Sequence, residues 1–201
     1  ETGRDYLERI RNAASRMSSL LAALADLSHA TRTELKPGPV DLSLLADWVL
    51  AELQEAEPER TVRMQVQPGL VAHGDERLLK LLLGQLLHNA WKFTRGRGEA
   101  TIEVGGDSDA RGSRLYVRDN GSGFDMRYAH KLFQPFQRLH GPDEGGGHGL
   151  GLAVAQRIAE RHRGYLRAES EPDAGSTFHL DLPAVEGSSS RNDPIATDTV
   201  P

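Results

Sequence analysis

The sequence of 201 residues contains no cysteine. That absence excludes a disulfide framework and any thiolate-held zinc or iron–sulfur centre, and it fits a reducing compartment. Aromatic residues make up only 5%, so a core must be built mainly from aliphatic side chains. No long apolar run occurs, which leaves no candidate for a membrane-spanning helix or for the apolar stretch of a signal peptide. The formal net charge is −5, and no cluster of Lys and Arg rises above the average. Both features argue against a nucleic-acid partner. At 38% hydrophobic, the chain is too apolar to be disordered throughout. The length suits one full domain with an appendage. What is present in excess is glycine, with 21 residues against a typical ~7%. Most of them lie between Gly96 and Gly151.

The first segment reads as one long helix. Leu7, Ile10, Ala14, Met17, Leu21 and Leu24 recur at alternating steps of 3 and 4, a narrow seam of the coiled-coil or bundle kind. A helix packed on its own domain shows a broader stripe, so the seam calls for partner helices, supplied by another protomer or by a helix outside these residues. The helix is expected to end near Lys36-Pro37-Gly38-Pro39. A second helix follows, capped by Asp41 or Ser43 and ending near Glu57-Pro58. Alternation predicts a strand over residues 61–67. Gly74-Asp75-Glu76-Arg77 starts a strongly apolar helix from about Asp75 to Phe93. Strands are expected at 100–104, 114–118, 165–170 and 176–182, with an irregular glycine-rich stretch from Asp119 to Gly147 and a helix over 149–163. The stretch from Glu186 onward has no periodicity and reads as a disordered tail. This order predicts an α/β chain: a two-layer α/β sandwich, one face of a mixed sheet covered by helices, with a long N-terminal helix. The expected division is a helical segment over 1–36, a domain over 37–185 and a tail over 186–201.

The glycine pattern excludes two common phosphate-binding loops. From Gly146 the sixth residue is Gly151, but Leu152 and Ala153 follow it, so a P-loop lysine is missing. No G-x-G-x-x-G starts at Gly121, Gly145, Gly147 or Gly149. What occurs instead is Asp119-Asn120-Gly121-Ser122-Gly123 after an alternating strand, and residues 145–152, Gly-Gly-Gly-His-Gly-Leu-Gly-Leu, before a helix. A glycine loop opening a helix N-terminus presents backbone N–H groups and a favourable dipole to an anion such as phosphate.

Together with Leu87-His88-Asn89-Ala90-Trp91-Lys92-Phe93-Thr94, these motifs resemble the ATP-binding domain of sensor histidine kinases, in the superfamily shared with gyrase and heat-shock chaperone ATPases. Residues 84–94 are similar to the N box, 119–125 to the first glycine box, 133–138 to the F box, 147–152 to the second glycine box and 175–178 to the short glycine motif in the last strands. The wording of the N box most resembles kinases linked to PAS or phytochrome-like sensors. The resemblance implies that Asp119 accepts a hydrogen bond from the adenine amino group, where guanine would offer a carbonyl, and that Gly121 and Gly123 let the backbone approach the base. It implies that Asn89 holds Mg²⁺ and that Lys92 and Arg138 bear on the phosphates of ATP. Phe133 and Phe136 anchor one end of a nucleotide lid. Gly147, Gly149, Leu150 and Gly151 form the phosphate-facing loop, and Thr177 in the last strands completes the nucleotide-binding set.

Two departures follow from the same resemblance. Four residues before Asn89, where the family has Asn or, more widely, Glu, this chain has Gln85. An amide cannot serve as a general base, so activation of water for simple ATP hydrolysis is not expected. The helix over residues 5–33 resembles the second helix of a dimerisation hairpin, and the acceptor-histidine motif is absent: His29 has neither the acidic follower nor the proline that the motif requires. The implied function is donation of the ATP γ-phosphoryl group to a histidine outside this sequence and onward transfer to a response regulator receiver domain. It implies a cytoplasmic protein that dimerises through its helices. The alternatives are a non-catalytic interaction module with a decayed nucleotide fold, marked by Gln85, and a stand-alone gyrase-like ATPase, which Gln85 and the heptad helix oppose.

Overall fold

In the computed structural model, residues 2–32, 34–109, 111–137 and 149–184 are described. The apolar run that starts at Asp75 forms helix α3 (Glu76–Phe93), whose N-cap is Asp75: its carboxylate accepts the Leu78 N–H at 3.2 Å. Leu78, Leu79, Leu82, Leu83, Leu86 and Leu87 are all but inaccessible to solvent. Burial of each contributes about 1.5–3 kcal/mol, which makes α3 the centre of the domain.

Helix α1 (Thr2–Arg32) precedes strand β1 (Gly38–Asp41) and helix α2 (Leu42–Ala56). Of the two expected caps of α2, Asp41 is the one used, accepting the Leu44 N–H at 2.9 Å. Strands β2 (Val62–Val66) and β3 (Val71–Gly74) lead into α3. Then come β4 (Ala100–Asp109), β5 (Gly112–Asp119), a 3₁₀ helix (Met126–Lys131), helix α4 (Gly151–Arg161), β6 (Tyr165–Glu171) and β7 (Gly175–Pro183). The main sheet has five strands in the order β2-β4-β5-β7-β6. Helices α2, α3 and α4 supply one continuous core with the inner face of this sheet. The layered α/β architecture expected from the element order is therefore present.

The differences from the sequence reading are local. The β2–β4 pair is parallel, because α3 crosses over between the two strands; the other pairs of the sheet are antiparallel. The chain after α1 forms a short antiparallel ribbon, β1 against β3, with Pro39 opposite His73. Proline is tolerated at such an edge because the missing N–H breaks no interior ladder. Strands β4 and β5 extend beyond their predicted ends as a polar hairpin, where alternation of apolar residues has ceased. The stretch read as irregular contains the 3₁₀ turn capped by Asp125, whose carboxylate accepts the Arg127 N–H at 2.9 Å. The tail over 186–201 lies outside the described residues.

Among the described residues, helix α1 is buried against the domain at its C-terminal end. Ala30 is buried, and its carbonyl accepts the Arg161 guanidinium of α4 at 2.9 Å. The seam residues Leu7, Ile10, Met17 and Leu21 are exposed along the remainder of the helix.

Candidate functional site

Strand β5 alternates inward and outward, and the parity that buries Leu115 and Val117 also buries Asp119 at its end. Asp119 is 5% exposed. Its carboxylate accepts the Gly121 N–H at 2.8 Å. Burial pushes the Asp119 carboxyl up to about 6, against the opposing pull of the Gly121 and Ser176 N–H groups and the Arg97 charge. An ionised carboxylate is thus held with fewer donors than it can accept.

The loop after Asp119 is fixed by its neighbours. Ser122 donates its N–H to the Phe93 carbonyl at the end of α3, at 3.1 Å, and its own carbonyl accepts the Asp173 N–H from the β6–β7 turn at 2.7 Å. Gly123 has φ +61°, and a Cβ there would sit 2.0 Å from the Glu171 carbonyl oxygen. Only glycine fits this approach. The Ser170 hydroxyl accepts the Phe124 N–H at 2.8 Å and donates to the Gly175 carbonyl at 2.7 Å. The first glycine box is therefore clamped between α3 and the β6–β7 turn.

Helix α3 carries Gln85, Asn89 and Lys92, all half-buried. The Lys92 ammonium lies 4.4 Å from the centre of the Phe93 ring. Gln85 faces the start of α4: a Cβ on Gly151 would lie 2.5 Å from the Gln85 amide oxygen. The N box and the second glycine box thus meet at Gln85 and Gly151. Leu150 is buried at the N-cap of α4 and supplies no side-chain cap. The Gly149 carbonyl accepts the Phe136 N–H at 2.8 Å, which ties the F box to this loop. Arg138 and Gly147 lie outside the described residues.

The structure separates some residues that the sequence reading grouped. Phe133 packs against the core, whereas Phe136 is 60% exposed with φ 65°. Thr177 does not share the face of the sheet that holds Asp119. In β7 the buried parity is Ser176, Phe178, Leu180 and Leu182, so Thr177 faces the outer side of the sheet, where its hydroxyl accepts from Arg118 at 3.4 Å. Ser176 takes the inner position opposite Asp119. Counting parity back from Phe178 would have selected Ser176. Arg97 was also missed, since it stands alone between Gly96 and Gly98 without a pattern.

Residues 74–186 match the family described as histidine kinase-, DNA gyrase B- and HSP90-like ATPase. The chain is 29% identical over 183 residues to the phytochrome-like protein Cph1 of Synechocystis, an alignment covering 91% of this chain and 24% of that protein. It is 32% identical over 192 residues to the circadian input-output histidine kinase CikA of Synechococcus elongatus, covering 91% and 25% respectively. The chain therefore spans about a quarter of the length of these relatives. Among solved structures, a mycobacterial sensor histidine kinase, MprB, superimposes with TM-score 0.61 at 25% identity, covering 74% of this chain and 97% of that one. Full-length ShkA in complex with AMPPNP superimposes with TM-score 0.70 at 23% identity, covering 92% of this chain and 40% of that one, and shares the fold. With its first glycine box clamped beside Asp119 and the family match covering more than half of its length, the chain belongs to the histidine kinase-, DNA gyrase B- and HSP90-like ATPase family.

Proposed function

We propose that this chain is the ATP-binding catalytic part of a two-component sensor histidine kinase. The observation that carries the reading is the buried, under-supplied carboxylate of Asp119 beside the clamped loop of Gly121 and Gly123. An adenine amino group would donate to it, whereas guanine would set a carbonyl oxygen against a carboxylate. Lys92 and Arg138 would bear on the phosphate charge, with the backbone of Gly147, Gly149, Leu150 and Gly151 around the phosphates. The donor set also suits Mg²⁺, which takes few protein ligands: the Asn89 amide oxygen would hold it, and it would neutralise phosphate charge. The γ-phosphoryl group would pass in line to a neutral imidazole nitrogen, forming a P–N bond as the bond to the bridging oxygen of ADP breaks, and the imidazole proton would leave to solvent. The domain's part is positioning and screening of charge. Gln85 cannot take a proton from water, so ATP hydrolysis without an acceptor would be slow.

The acceptor belongs on a helix that pairs with α1, since none of the histidines in this sequence carries the acceptor motif. Onward transfer would be to an aspartate of a response regulator receiver domain. The exposed stripe Leu7, Ile10, Met17 and Leu21 supports dimerisation through α1. Among the described residues no helix is long and apolar enough to cross a membrane; the similarity to sensor histidine kinases supports assigning this part to the cytoplasm. Residues 37–185 would form the catalytic domain, because β1 and α2 share the core with the family-matched region.

Calorimetric titration with Mg·ADP tests the reading. The wild type should bind and Asp119→Asn should not; a wild type that fails to bind would overturn it. Sedimentation tests the helix: Leu21→Glu should abolish self-association without lowering nucleotide affinity, and a wild-type monomer insensitive to this change would remove the dimer.

A further inference from the structure

We propose that Arg97 is the positioning residue of the nucleotide site, closing the ring of loops around Asp119. The inference rests on the nucleotide reading above and deepens it. The Arg97 guanidinium donates to the Gly121 carbonyl at 2.8 Å and also to the Asp173 carbonyl. With the Ser122–Phe93 and Asp173–Ser122 bonds, it joins three segments that are far apart in the chain: the exit of α3, the first glycine box and the β6–β7 turn. Remove Arg97 and two carbonyl oxygens of the clamp lose a charged donor. Such bonds are stronger than neutral ones and costly to leave unmade.

The charge acts as well as the bonds. The elements packed around Asp119 bring few other ionisable groups. Opposite it on β4 stands Ile102 and on β7 Ser176. Lys92 stacks on Phe93, and Arg118 faces the outer side of the sheet with Thr177. Glu171 and Asp173 at the β6–β7 turn are exposed acids. Burial opposes ionisation of Asp119; the Gly121 and Ser176 N–H groups favour it, and the Arg97 charge adds to them. A loop arginine would thus hold the acceptor ready to take a hydrogen bond from the base at neutral pH.

The test uses the whole chain and two variants that separate charge from bonding. Arg97→Gln keeps amide donors and removes the charge, whereas Arg97→Lys keeps the charge and loses the planar fork. The Asp119 carboxyl is titrated by carbon NMR without ligand, and ADP affinity is measured by calorimetry at about pH 7.5. Arg97→Gln should move the Asp119 midpoint upward from about 6 and weaken ADP binding about tenfold, the scale of a lost charged hydrogen bond. Arg97→Lys should restore the midpoint. A midpoint unmoved in Arg97→Gln, or an ADP affinity unchanged in it, overturns the proposal, even if thermal stability falls. If the wild type binds no ADP, the nucleotide reading fails, and the carboxyl titration still decides the role of Arg97. Should Arg97→Gln fail to fold, the Asp119 midpoint in Arg97→Lys decides: one that rises despite the retained charge overturns the proposal.

Discussion

Two aspartates in this domain are buried to nearly the same degree, Asp75 at 1% and Asp119 at 5% exposure, yet their carboxylates sit on opposite sides of the ordinary range. Asp75, at the start of α3, is pushed up by burial, but the Lys36 N–H, the Arg77 side chain and the Leu78 N–H together outweigh that and hold it low. Asp119, at the end of β5, receives too little compensation and is driven to about 6. The first is a structural joint: it caps a helix and ties down the chain leaving α1, and its own N–H donates to His162 at the end of α4. The second carries an electrostatic deficit that the fold does not relieve. A buried carboxylate short of donors lowers stability, so its presence beside a clamped glycine loop points to a donor that arrives with a ligand.

The sharpest way to break this contrast is to neutralise each aspartate. Asp119→Asn keeps an oxygen for the Gly121 N–H and removes the buried charge. ADP affinity should fall by at least about a hundredfold, as expected when a site built to accept a hydrogen bond can no longer do so. Stability at neutral pH should nevertheless rise, by about 1–3 kcal/mol at most, from the displacement of the carboxyl above its ordinary range. Urea denaturation beside calorimetry reads both. Loss of stability in Asp119→Asn would mean that the deficit is not real. Asp75→Ala should do the reverse: it loses a helix cap and leaves the Lys36 N–H without its acceptor, costing about 2–3 kcal/mol, while ADP affinity stays within about twofold.

The same pair predicts a dependence on pH with opposite signs. A carboxyl raised above its unfolded value binds its proton more tightly in the folded state. The stability that this proton brings at Asp119 is complete below about 3.8 and is lost as pH rises through about 6. Asp75 is lowered, so its contribution is present above 3.8 and fades as pH falls through its folded value. The stability gain of Asp119→Asn over wild type should therefore vanish below about pH 4 and be complete by about pH 7. The loss in Asp75→Ala should shrink on acidification. Denaturation curves collected across this range would show two differences moving in opposite directions; parallel movement would dissolve the contrast.

Much of the contrast was legible in the sequence, and the illegible parts share a cause. Asp75 and Asp41 were readable as caps because capping is local: an acid one step before an apolar periodic run leaves few other roles. Asp119 was readable from its place between an alternating strand and a glycine loop. The electrostatic difference between Asp75 and Asp119 was not, because it depends on donors from distant segments, Lys36 for one and Ser176 and Arg97 for the other. The parallel β2–β4 pairing escaped for the same reason, since it is set by the crossover through α3. The short β1–β3 ribbon contains a proline and too few inward residues for periodicity to register.

The smallest expected effect tests which face of β7 serves Asp119. Ser176 supports the carboxylate through its backbone N–H, and its hydroxyl lies 3.1 Å from that of Ser170. Ser176→Ala keeps the N–H, so the Asp119 midpoint should stay in place and stability should fall by at most about 1 kcal/mol, the net worth of one neutral hydrogen bond. Thr177→Val, on the outer face beside Arg118, should change neither ADP affinity nor the midpoint, because a strand sends neighbouring side chains to opposite sides of the sheet. A clear loss of ADP affinity in Thr177→Val would place the site on the wrong face of β7. It would also mean that a ligand reaches Asp119 past the strand edge, where water could supply the donors whose shortage sets Asp119 apart from Asp75.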